Sequence, residues 1–495
     1  MYPSMETLKT LAGTGKYRRL PLCRELYSDR FTPIEVMRIL RAASKHCFLL
    51  ESAEDKAQWG RYSFLGYEPK LELSCAQGQL RLRYDPESED CREEILQVTH
   101  PGEKIREILA EYKSPALPQL PPFTGGLVGY FSFEYLQYAE PELRTSAPTG
   151  EEFQDVDLML FDKVICFDNF RQKLILITGV DPDNLEESCQ AAQGEFDRMQ
   201  QLLQSGARAV FRPLKLLSPL ELRFSQERFC SMVEQARHYI REGDIFQVVL
   251  SNPMEARAQG SLFDLYRVLR TTNPSPYMFY FTSDSIEISG ASPETLVKST
   301  GGTLRTFPLA GTRPRGKTDQ EDQALEQELL ADEKELAEHN MLVDLGRNDL
   351  GKVSQLGSVR VEQYQTVQRY SHVMHIGSTV VGTIREDKDA LDAVDAILPA
   401  GTLSGAPKLR AVEIIGELEG RPRGVYGGAI GYLSFTGDLD ICISIRLCYK
   451  KDGKICVQSG AGIVADSVPE TEYMECRNKA RAVVAAIETA EGGIL

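Results

Sequence analysis

The sequence predicts a mixed α+β fold. Amphipathic helical stretches, such as the one that follows Ser225, are interleaved with short runs of β-branched and aromatic residues. The two patterns do not alternate in the strict strand-helix succession of a doubly wound parallel sheet. With 495 residues, of which 42% are hydrophobic, the chain is long enough for more than one core. The distribution of motifs indicates two units.

The N-terminal unit is predicted to span residues 1–215. It contains β-type runs such as KVICFD and KLILITGV together with helical stretches, and it carries few convergent polar motifs. A Glu- and Gln-rich helix is predicted at 182–204, and the linker-like SGARAVFRPLKLLSP follows it. The boundary is therefore placed between about 210 and 222.

The C-terminal unit, 222–490, has the strongest periodic patterns. An amphipathic helix after Ser225 leads through Gly243 and Asp244 into the strand IFQVVLS. Further strands are predicted at MFYFTS, EISGAS, LRTFPLAGT, GAIGYLSF, DICISIRLCY and KICVQSGAGIV, and further helices at 319–346, 388–397, 406–417 and 470–490. Motif density rises steeply here, which places the chemistry in this unit.

Composition excludes several classes of function. A formal net charge of −16 is incompatible with the clustered basic surface that nucleic acids and anionic membranes require. No segment approaches the ~20 apolar residues of a membrane span, and the start of the chain lacks the apolar core of a signal peptide. The eleven cysteines lack the paired spacing of a zinc site. We therefore expect a cytoplasmic enzyme with reduced thiols and neither a nucleic-acid nor a membrane partner.

Two predicted helices carry aligned carboxylates. Glu335 and Glu338 are three residues apart, and Glu472 and Glu475 have the same spacing, with Lys479 one turn further. Such spacings place side chains on one helical face. A single pair is typical of a solvated acidic face, whereas carboxylates from two helices could together hold Mg²⁺.

Small residues mark two more candidate positions. GAG at 460–462 falls where a strand gives way to a loop, so that backbone N–H groups could approach an anionic oxygen. A turn selected for its dihedral angles is the alternative. Thr402 and Lys408 lie in TLSGAPKLRA, which also fits a helix start with Pro407 in its first turn.

Arg446 and His375 complete the candidates that pattern alone supplies. Alternation in DLDICISIRLCY places Arg446 on one face with Cys442 and Ser444, where it could clamp a carboxylate or form a structural ion pair. His375 lies in the apolar run SHVMHIGSTVVG. It could be a hydrogen-bonded core residue or a general acid or base.

Six segments, in this order, resemble the chorismate-utilising enzymes, the family of the anthranilate, aminodeoxychorismate, isochorismate and salicylate synthases. The resemblance covers about 222–490. It implies two intertwined mixed α/β lobes, with largely antiparallel sheets packed face to face and helices outside. The segments are GASPETLVK, RTFPLAGTRPRG, EHNMLVDLGRNDLG, LPAGTLSGAPK, YGGAIGY and SGAGIVADSVPETEYMEC.

The resemblance also implies a role for each matching residue. The implied Mg²⁺ ligands are Glu338 and Glu475, with Glu335 and Glu472 in support. Residues implied to act where bonds of the ring change are His375, Thr402 and Glu294. Residues implied to surround chorismate are Gly311, Thr312, Tyr426, Arg446, Gly460, Ala461, Gly462 and Lys479.

Two positions favour the anthranilate-forming branch of the family. Aminodeoxychorismate synthases typically carry a nucleophilic Lys in PIKGT, where this chain has PLAGT with Ala310, so ammonia should add to the ring directly. Isochorismate and salicylate synthases typically place a Lys, as the base for water, where IFQVVLS has Gln247. Activation of water is therefore disfavoured.

The N-terminal unit contains a segment similar to the LLES region by which anthranilate synthases bind tryptophan as a feedback inhibitor. The segment is HCFLLESAEDKAQWGRYSFLG, in which Ser52 would contact the inhibitor. Pro276, Tyr277 and Met278 of NPSPYMFY would complete the pocket. A strand end followed by polar loop residues is the alternative for LLES alone.

The resemblance implies an Mg²⁺-dependent lyase that converts chorismate and ammonia to anthranilate and pyruvate in tryptophan biosynthesis. The chain lacks the GxCxG nucleophile setting of a glutaminase. We therefore expect a separate glutaminase subunit, component II, in a heterodimer or heterotetramer. The alternatives are an aminodeoxychorismate synthase, an enzyme that stops at the aminated intermediate, and a catalytically silent amino-acid sensor.

Overall fold

The fold is that of a computed structural model, which describes residues 1–52, 60–143, 153–369 and 373–494. Within these ranges the chain forms two large β-sheets and twelve α-helices. Residues 53–59, which follow LLES in the predicted inhibitor segment, and the first two residues of SHVMHIGSTVVG lie outside the described residues. The predicted mixed fold is confirmed.

The first sheet has thirteen strands in the described chain, and neighbouring strands run antiparallel. Its strands, in spatial order, are β1 (Leu20–Tyr27), β10 (Lys173–Val180), β9 (Lys163–Asp168), β3 (Tyr62–Tyr67), β2 (Cys47–Glu51), β14 (Tyr277–Thr282), β15 (Glu287–Ser292), β24 (Leu447–Lys451), β25 (Lys454–Ile463), β13 (Gln247–Gln259) and β11 (Lys215–Leu216), with β12 (Glu221–Leu222) and β21 (Gly405–Ala406) also on β13.

The second sheet has twelve strands in the described ranges and is likewise antiparallel. Its strands, in spatial order, are β18 (Leu309–Pro314), β20 (Val373–Thr383), β17 (Thr303–Thr306), β16 (Thr295–Thr300), β23 (Leu439–Ile443), β22 (Ala429–Ser434), β7 (Gly126–Phe131), β8 (Val156–Phe161), β4 (Leu71–Ala76), β5 (Gln79–Tyr84) and β6 (Arg92–Gln97), with β19 (Arg360–Arg369) on β20. Gly129 and Gly431 face each other across β7 and β22. A Cβ atom on either would lie within 2.2 Å of a backbone oxygen, which explains the small residues of YGGAIGY.

The helices begin and end at local sequence signals. The N-terminus of α6 is capped by Ser225, which accepts from Arg228 N, and Gly243 ends α6 at a φ of +85°. The helices are α1 (Met5–Ala12), α2 (Pro33–Ala43), α3 (Gly102–Glu111), α4 (Leu136–Ala139), α5 (Leu185–Ser205), α6 (Gln226–Glu242), α7 (Phe263–Thr272), α8 (Asp319–Ala331), α9 (Glu333–Gly351), α10 (Ala390–Ile397), α11 (Lys408–Glu419) and α12 (Pro469–Ala490), and Phe133–Tyr135 form a 3₁₀ turn.

The helix predicted at 319–346 is two helices. Asp332 leaves the helical conformation, and its side chain accepts hydrogen bonds from Lys334 N and Glu335 N. It therefore ends α8 and caps α9. The break sets the direction of α9, which carries two of the predicted metal ligands.

The two sheets pack face to face through aromatic side chains. Phe48 of the first sheet lies edge-on to Phe161 of the second, with ring centroids 4.7 Å apart. Phe123, which precedes β7, lies 4.5 Å from Tyr432 of the second sheet and 6.2 Å from Phe48 of the first, measured between ring centroids. Helices α2, α5, α7 and α12 cover the outer face of the first sheet, and α3 and α10 cover that of the second. The predicted arrangement of sheets and helices is confirmed.

Strands from both predicted units contribute to each sheet. In the first sheet β2 pairs with β14, and in the second β7 pairs with β22. The lobes are therefore intertwined as predicted. The sequence boundary at 215–222 stays a prediction.

Two global expectations concern membranes and thiols. No helix in the described chain combines the length and the apolar composition that crossing a bilayer requires. All eleven cysteines are free thiols, and nine of them are buried.

A buried ion pair joins several elements of the C-terminal unit. Arg423 Nε donates to Glu419 Oε2 at 3.0 Å, and its other nitrogens donate to the backbone oxygens of Leu403 and Val249, each at 2.7 Å. Glu419 also accepts from Ser251 N at 2.8 Å. Both charged side chains are 1% exposed, so neither has water as an alternative partner.

We predict that Arg423→Leu lowers the free energy of unfolding by about 3–5 kcal/mol, because Glu419 would remain as an unpaired buried charge. Urea unfolding followed by circular dichroism measures the change. The control is Arg347→Leu, which removes an exposed pair with Asp344 and should cost less than about 1 kcal/mol. Equal effects of the two substitutions would contradict the assignment.

Candidate active site

The chain passes between the two sheets twice at the same place. β15 of the first sheet ends at Ser292 and β16 of the second begins at Thr295, while β23 ends at Ile443 and β24 begins at Leu447. The two crossings are bonded to each other. Ile443 N donates to Glu294 O at 2.9 Å, and Ser292 Oγ donates to Ile443 O at 2.6 Å.

Arg446 lies in the second crossing, and here the predicted continuous strand DICISIRLCY is wrong. Arg446 has a φ of +54°, which an extended strand cannot accommodate. It therefore does not share a strand face with Cys442 and Ser444. Its guanidinium donates to Lys479 O of α12, and burial lowers its pKa. The crossing thus directs the Arg446 side chain towards α12.

Glu294, in the first crossing, meets Thr402 from the loop that follows α10. Thr402 Oγ1 donates to Glu294 Oε1 at 3.2 Å. Burial raises the pKa of Glu294 to about 7, against the opposing effects of this hydrogen bond and of the Lys479 charge. A cavity of about 40 Å³ lies beside both side chains. The structure therefore brings the two predicted residues into contact. The pKa of Glu294 lies close to neutral pH, where a carboxyl group can both donate and accept a proton.

His375 on β20 is held by β18. Its Nδ1 donates to Gly311 O at 2.7 Å and lies 3.1 Å from Thr312 Oγ1. Burial is the main cause that lowers the pKa of His375, and the charge of Arg446 acts in the same direction. The imidazole is therefore neutral at physiological pH. The pairing of β18 with β20 changes register between Ala310 and Arg313, and Gly311, with a φ of +65°, allows the β-bulge at this point.

The predicted glycine row lies on β25 of the first sheet. Gly460, Ala461 and Gly462 belong to β25, where they pair with β13. A Cβ atom on Gly460 would lie 2.9 Å from the Tyr426 hydroxyl, and one on Gly462 would lie 2.6 Å from Gln247 Nε2. The small residues therefore keep space beside Tyr426 and Gln247.

The four predicted ligands of Mg²⁺ come from α9 and α12. Burial raises the pKa of Glu338, and the charges of Glu335 and Glu475 raise it further, against that of Lys479. Lys479 Nζ pairs with Glu475 Oε1 at 2.6 Å. Charges on the two helices therefore interact across the space between them.

Glu472 is the most buried of these four glutamates. Burial raises its pKa, and the Glu475 charge adds to this against a hydrogen bond from Ser467. Among the described residues, its Oε2 has no hydrogen-bond partner. Acidic groups that raise one another's pKa, one with an unsatisfied oxygen, are a donor set that a divalent cation fits.

The predicted inhibitor residues also come together. Met278 pairs with Glu51 in the β2–β14 ladder, so Ser52 follows directly beside Tyr277. The Ser52 hydroxyl is buried and lacks a hydrogen-bond partner in the described chain. Pro276 lines a cavity of about 540 Å³ that extends to β18 and β20.

Sequence reasoning missed two pairs that support these sites. Lys408 Nζ donates to Asp349 Oδ2 at 3.1 Å, which fixes the loop of Thr402 onto α9. Arg270 and Glu51 form a second pair at 2.9 Å beside Ser52. Lys408 and Asp349 both lie in segments quoted above, which could have indicated the first pair. No local pattern links Glu51 to a residue so distant in sequence.

Comparison with known proteins gives a consistent result. Residues 45–485 match the family described as chorismate binding enzyme. The chain is 45% identical over 497 residues to anthranilate synthase component 1 of Acetivibrio thermocellus, with 99% of both chains covered. It is 43% identical to that of Acinetobacter calcoaceticus, with 97% of this chain and 98% of the relative covered.

Solved structures agree with the sequence comparison. Anthranilate synthase component I from Streptococcus pneumoniae matches with a TM-score of 0.74 at 38% identity, covering 86% of this chain and 92% of that one. The menaquinone-specific isochorismate synthase of Escherichia coli matches with a TM-score of 0.67 at 19% identity, covering 98% of this chain and 100% of that one. The latter likeness concerns the fold.

The pKa of Glu294 yields a prediction for stability. Because its folded-state pKa of about 7 exceeds the unfolded value of about 4.3, folding favours the protonated form. This contribution is complete below the unfolded pKa and is lost as pH rises through the folded one. As the pH rises from 5 to 8, loss of this contribution should lower the free energy of unfolding by at most about 3 kcal/mol.

Urea unfolding at several pH values tests this, since Glu294→Gln should flatten the slope over this range. Glu488→Gln, at an exposed position of α12, is the control and should keep the parent slope. Parallel curves for Glu294→Gln and the parent would contradict the raised pKa.

Proposed function

Because the chain belongs to the family of chorismate binding enzymes, and its relatives there are anthranilate synthase components 1, we propose that it forms anthranilate and pyruvate from chorismate and ammonia. The observation that carries the proposal is the convergence of Glu294, Arg446 and His375 with the glutamates of α9 and α12 around Lys479. In this proposal the protein is a lyase of tryptophan biosynthesis.

Chorismate is a dianion, and the site offers it two kinds of partner. Arg446 and Lys479 supply positive charge, and Gly460 and Gly462 have no side chain that would prevent close approach to the backbone. Burial lowers the pKa of Arg446, which favours an anionic partner for it. We assign one carboxylate of the substrate to Arg446.

Mg²⁺ is the proposed cofactor, with Glu338 and Glu475 as ligands and Glu335 and Glu472 in support. The unsatisfied Oε2 of Glu472 and the raised pKa of Glu338 support this assignment. When bound, Mg²⁺ supplies charge neutralisation and a template for the ring carboxylate of chorismate. Lys479 would then be released from Glu475 to contact the substrate.

Glu294 and Thr402 are proposed to assist departure of the ring hydroxyl. Because its pKa is raised to about 7, Glu294 can hold a proton near neutral pH and give this proton to the leaving oxygen. Ammonia adds to the ring carbon beside the carboxylate-bearing one, and the hydroxyl leaves across the diene as water. Ala310 offers no amine, so direct addition of ammonia is preferred.

His375 is proposed to assist the second step. The neutral imidazole, held by Gly311 O, can accept the ring proton whose loss accompanies elimination of pyruvate. Loss of that proton leaves an aromatic amine. The hydrogen bond at Nδ1 fixes the orientation of the ring during this transfer.

A separate glutaminase, component II, is the proposed source of ammonia. Solutions near neutral pH contain little unprotonated ammonia, and the chain has no GxCxG nucleophile motif. The name component 1 of its relatives implies a second component for those proteins. We propose a cytoplasmic heterodimer or heterotetramer that delivers ammonia across the subunit interface.

Tryptophan is the proposed feedback inhibitor, bound beside Ser52 and Pro276–Met278. The buried, unsatisfied hydroxyl of Ser52 supports a ligand at this position. The cavity lined by Pro276 also includes Leu309 and Gly377, which are close in sequence to Gly311 and His375. A change at the inhibitor pocket could therefore reach the residues proposed for catalysis.

We predict that the purified chain produces anthranilate fluorescence from chorismate, Mg²⁺ and an ammonium salt at mildly alkaline pH, and little from glutamine. Glu338→Gln should reduce kcat/KM by at least about 100-fold, because it removes a ligand of Mg²⁺. Glu333→Gln, at another exposed position of the same helix, is the control and should keep activity. Chorismate loss without fluorescence would indicate another family reaction, and no turnover would indicate an amino-acid sensor.

A second prediction concerns regulation. Ser52→Ala should weaken tryptophan inhibition by about 10-fold or more and leave kcat unchanged, since Ser52 lies outside the proposed active site. Inhibition curves of the fluorescence assay measure this effect. Ser74→Ala on β4 is the matched control. If tryptophan inhibits Ser52→Ala as strongly as the parent chain, Ser52 is not part of the inhibitor pocket.

A further inference from the structure

A second cluster of ionisable residues lies at the other end of β2 from Ser52. His46 precedes β2, Glu72 lies in β4, and Asp284 lies in the turn between β14 and β15. The nearest ligand atoms of these three side chains all lie within 4.8 Å of one another. The cluster therefore joins the first sheet to the second.

The orientation of the His46 ring is fixed by Glu87. Nδ1 lies 2.8 Å from Glu87 Oε1, which also accepts from His46 N at 2.9 Å. Nδ1 therefore carries a proton and donates it, so Nε2 is the ring nitrogen that points into the cluster and can offer its lone pair to a metal ion. The His46 side chain is 1% exposed, and Nε2 has no hydrogen-bond partner among the described residues.

The two carboxylates face this nitrogen. Nε2 lies 3.8 Å from Glu72 Oε1 and 3.6 Å from Asp284 Oδ2. Ligand atoms about 2.0–2.2 Å from a tetrahedral metal ion are themselves about 3.4 Å apart. Small side-chain movements would therefore bring all three atoms to bonding distance of one ion.

The charges of the cluster also favour a cation. Glu72, Asp284 and Glu87 are opposed by the Arg83 guanidinium, whose Nη1 lies 2.6 Å from Glu72 Oε2 and 3.0 Å from Asp284 Oδ2. Apart from His46, these groups sum to two negative charges. Asp157, which interacts with Glu72, would add only further negative charge if ionised. A divalent ion would balance the excess.

We propose that His46, Glu72 and Asp284 bind a divalent transition-metal ion, with Zn²⁺ as the best match. An imidazole nitrogen with two carboxylate oxygens suits Zn²⁺, whereas Mg²⁺ prefers oxygen ligands alone. Glu87 would orient His46, and Arg83 would hold both carboxylates, as hydrogen-bonded groups around metal ligands do. The partly exposed Asp284 gives the ion and a ligand water access.

The bound ion has a structural role. The six residue-to-residue steps from His46 to Ser52 span about 20 Å in extended conformation, so the cluster is separate from the predicted inhibitor pocket. Its ligands come from both predicted units and both sheets. Because this arrangement exists only in the folded chain, metal binding stabilises the fold.

The test uses the full chain, freed of metal with a chelator, returned to saturating Mg²⁺ and titrated with Co²⁺ and then with Zn²⁺. We expect one Co²⁺ ion to bind per chain. Its visible absorption bands should be those of Co²⁺ coordinated by nitrogen and oxygen atoms, without the charge-transfer band of a thiolate ligand. Asp284→Asn and His46→Gln should each weaken binding by at least about 10-fold. His238→Gln, which alters an exposed histidine of α6, should leave binding unchanged.

Asp284→Asn keeps the test decisive if His46→Gln fails to fold, because Asp284 lies in a partly exposed turn. Zn²⁺ should also raise the melting temperature of the parent chain but not that of Asp284→Asn. No binding by the parent, or the same affinity and stoichiometry in Asp284→Asn, would overturn the proposal. The cluster would then be an ion pair of protonated His46 with its carboxylates.

Discussion

The candidate active site depends on two adjacent crossings of the chain between the sheets. When a chain leaves a sheet, its backbone polar groups need new partners. Here each crossing supplies partners for the other, through Ile443 N to Glu294 O and Ser292 Oγ to Ile443 O. The crossings therefore fix Glu294 and Arg446 together, although about 150 residues separate them in sequence.

Around these crossings, burial acts on groups of opposite charge and shifts their pKa values in opposite directions. It raises the pKa of Glu294 to about 7 and lowers the pKa values of His375 and Arg446. Such shifts suit the separate acid and base functions proposed for Glu294 and His375.

The two clusters of carboxylates differ in ways that suit different ions. The glutamates of α9 and α12 offer oxygen atoms only and lie beside the residues proposed to bind the substrate. The cluster of His46, Glu72 and Asp284 adds an imidazole and lies where the sheets meet, away from that site. Ligand chemistry thus separates a proposed catalytic Mg²⁺ from a proposed structural Zn²⁺.

The sequence by itself determined most local structure and the identity of the candidate residues. Periodicity indicated α6, α10, α11 and α12, and it indicated α8 and α9 as one helix, but it did not indicate α7. The glutamates, His375 and the glycine row were candidates from pattern, and the resemblance to a known family gave them their implied roles. These features are local, since helix periodicity and capping involve residues only a few positions apart. The break at Asp332 was missed, because a cap inside a long helical pattern has little effect on periodicity.

Only the tertiary structure decided how distant segments meet. Alternation in DICISIRLCY predicted one strand, but pairing with two different sheets divides it at the crossing that contains Arg446. The contacts of Arg423 with Leu403 and Val249, the contact of Lys408 with Asp349 and the cluster at His46 likewise depend on how distant elements pack together. Strand order is set by the burial of complete sheet faces, which involves the whole chain and leaves no signal within a single segment.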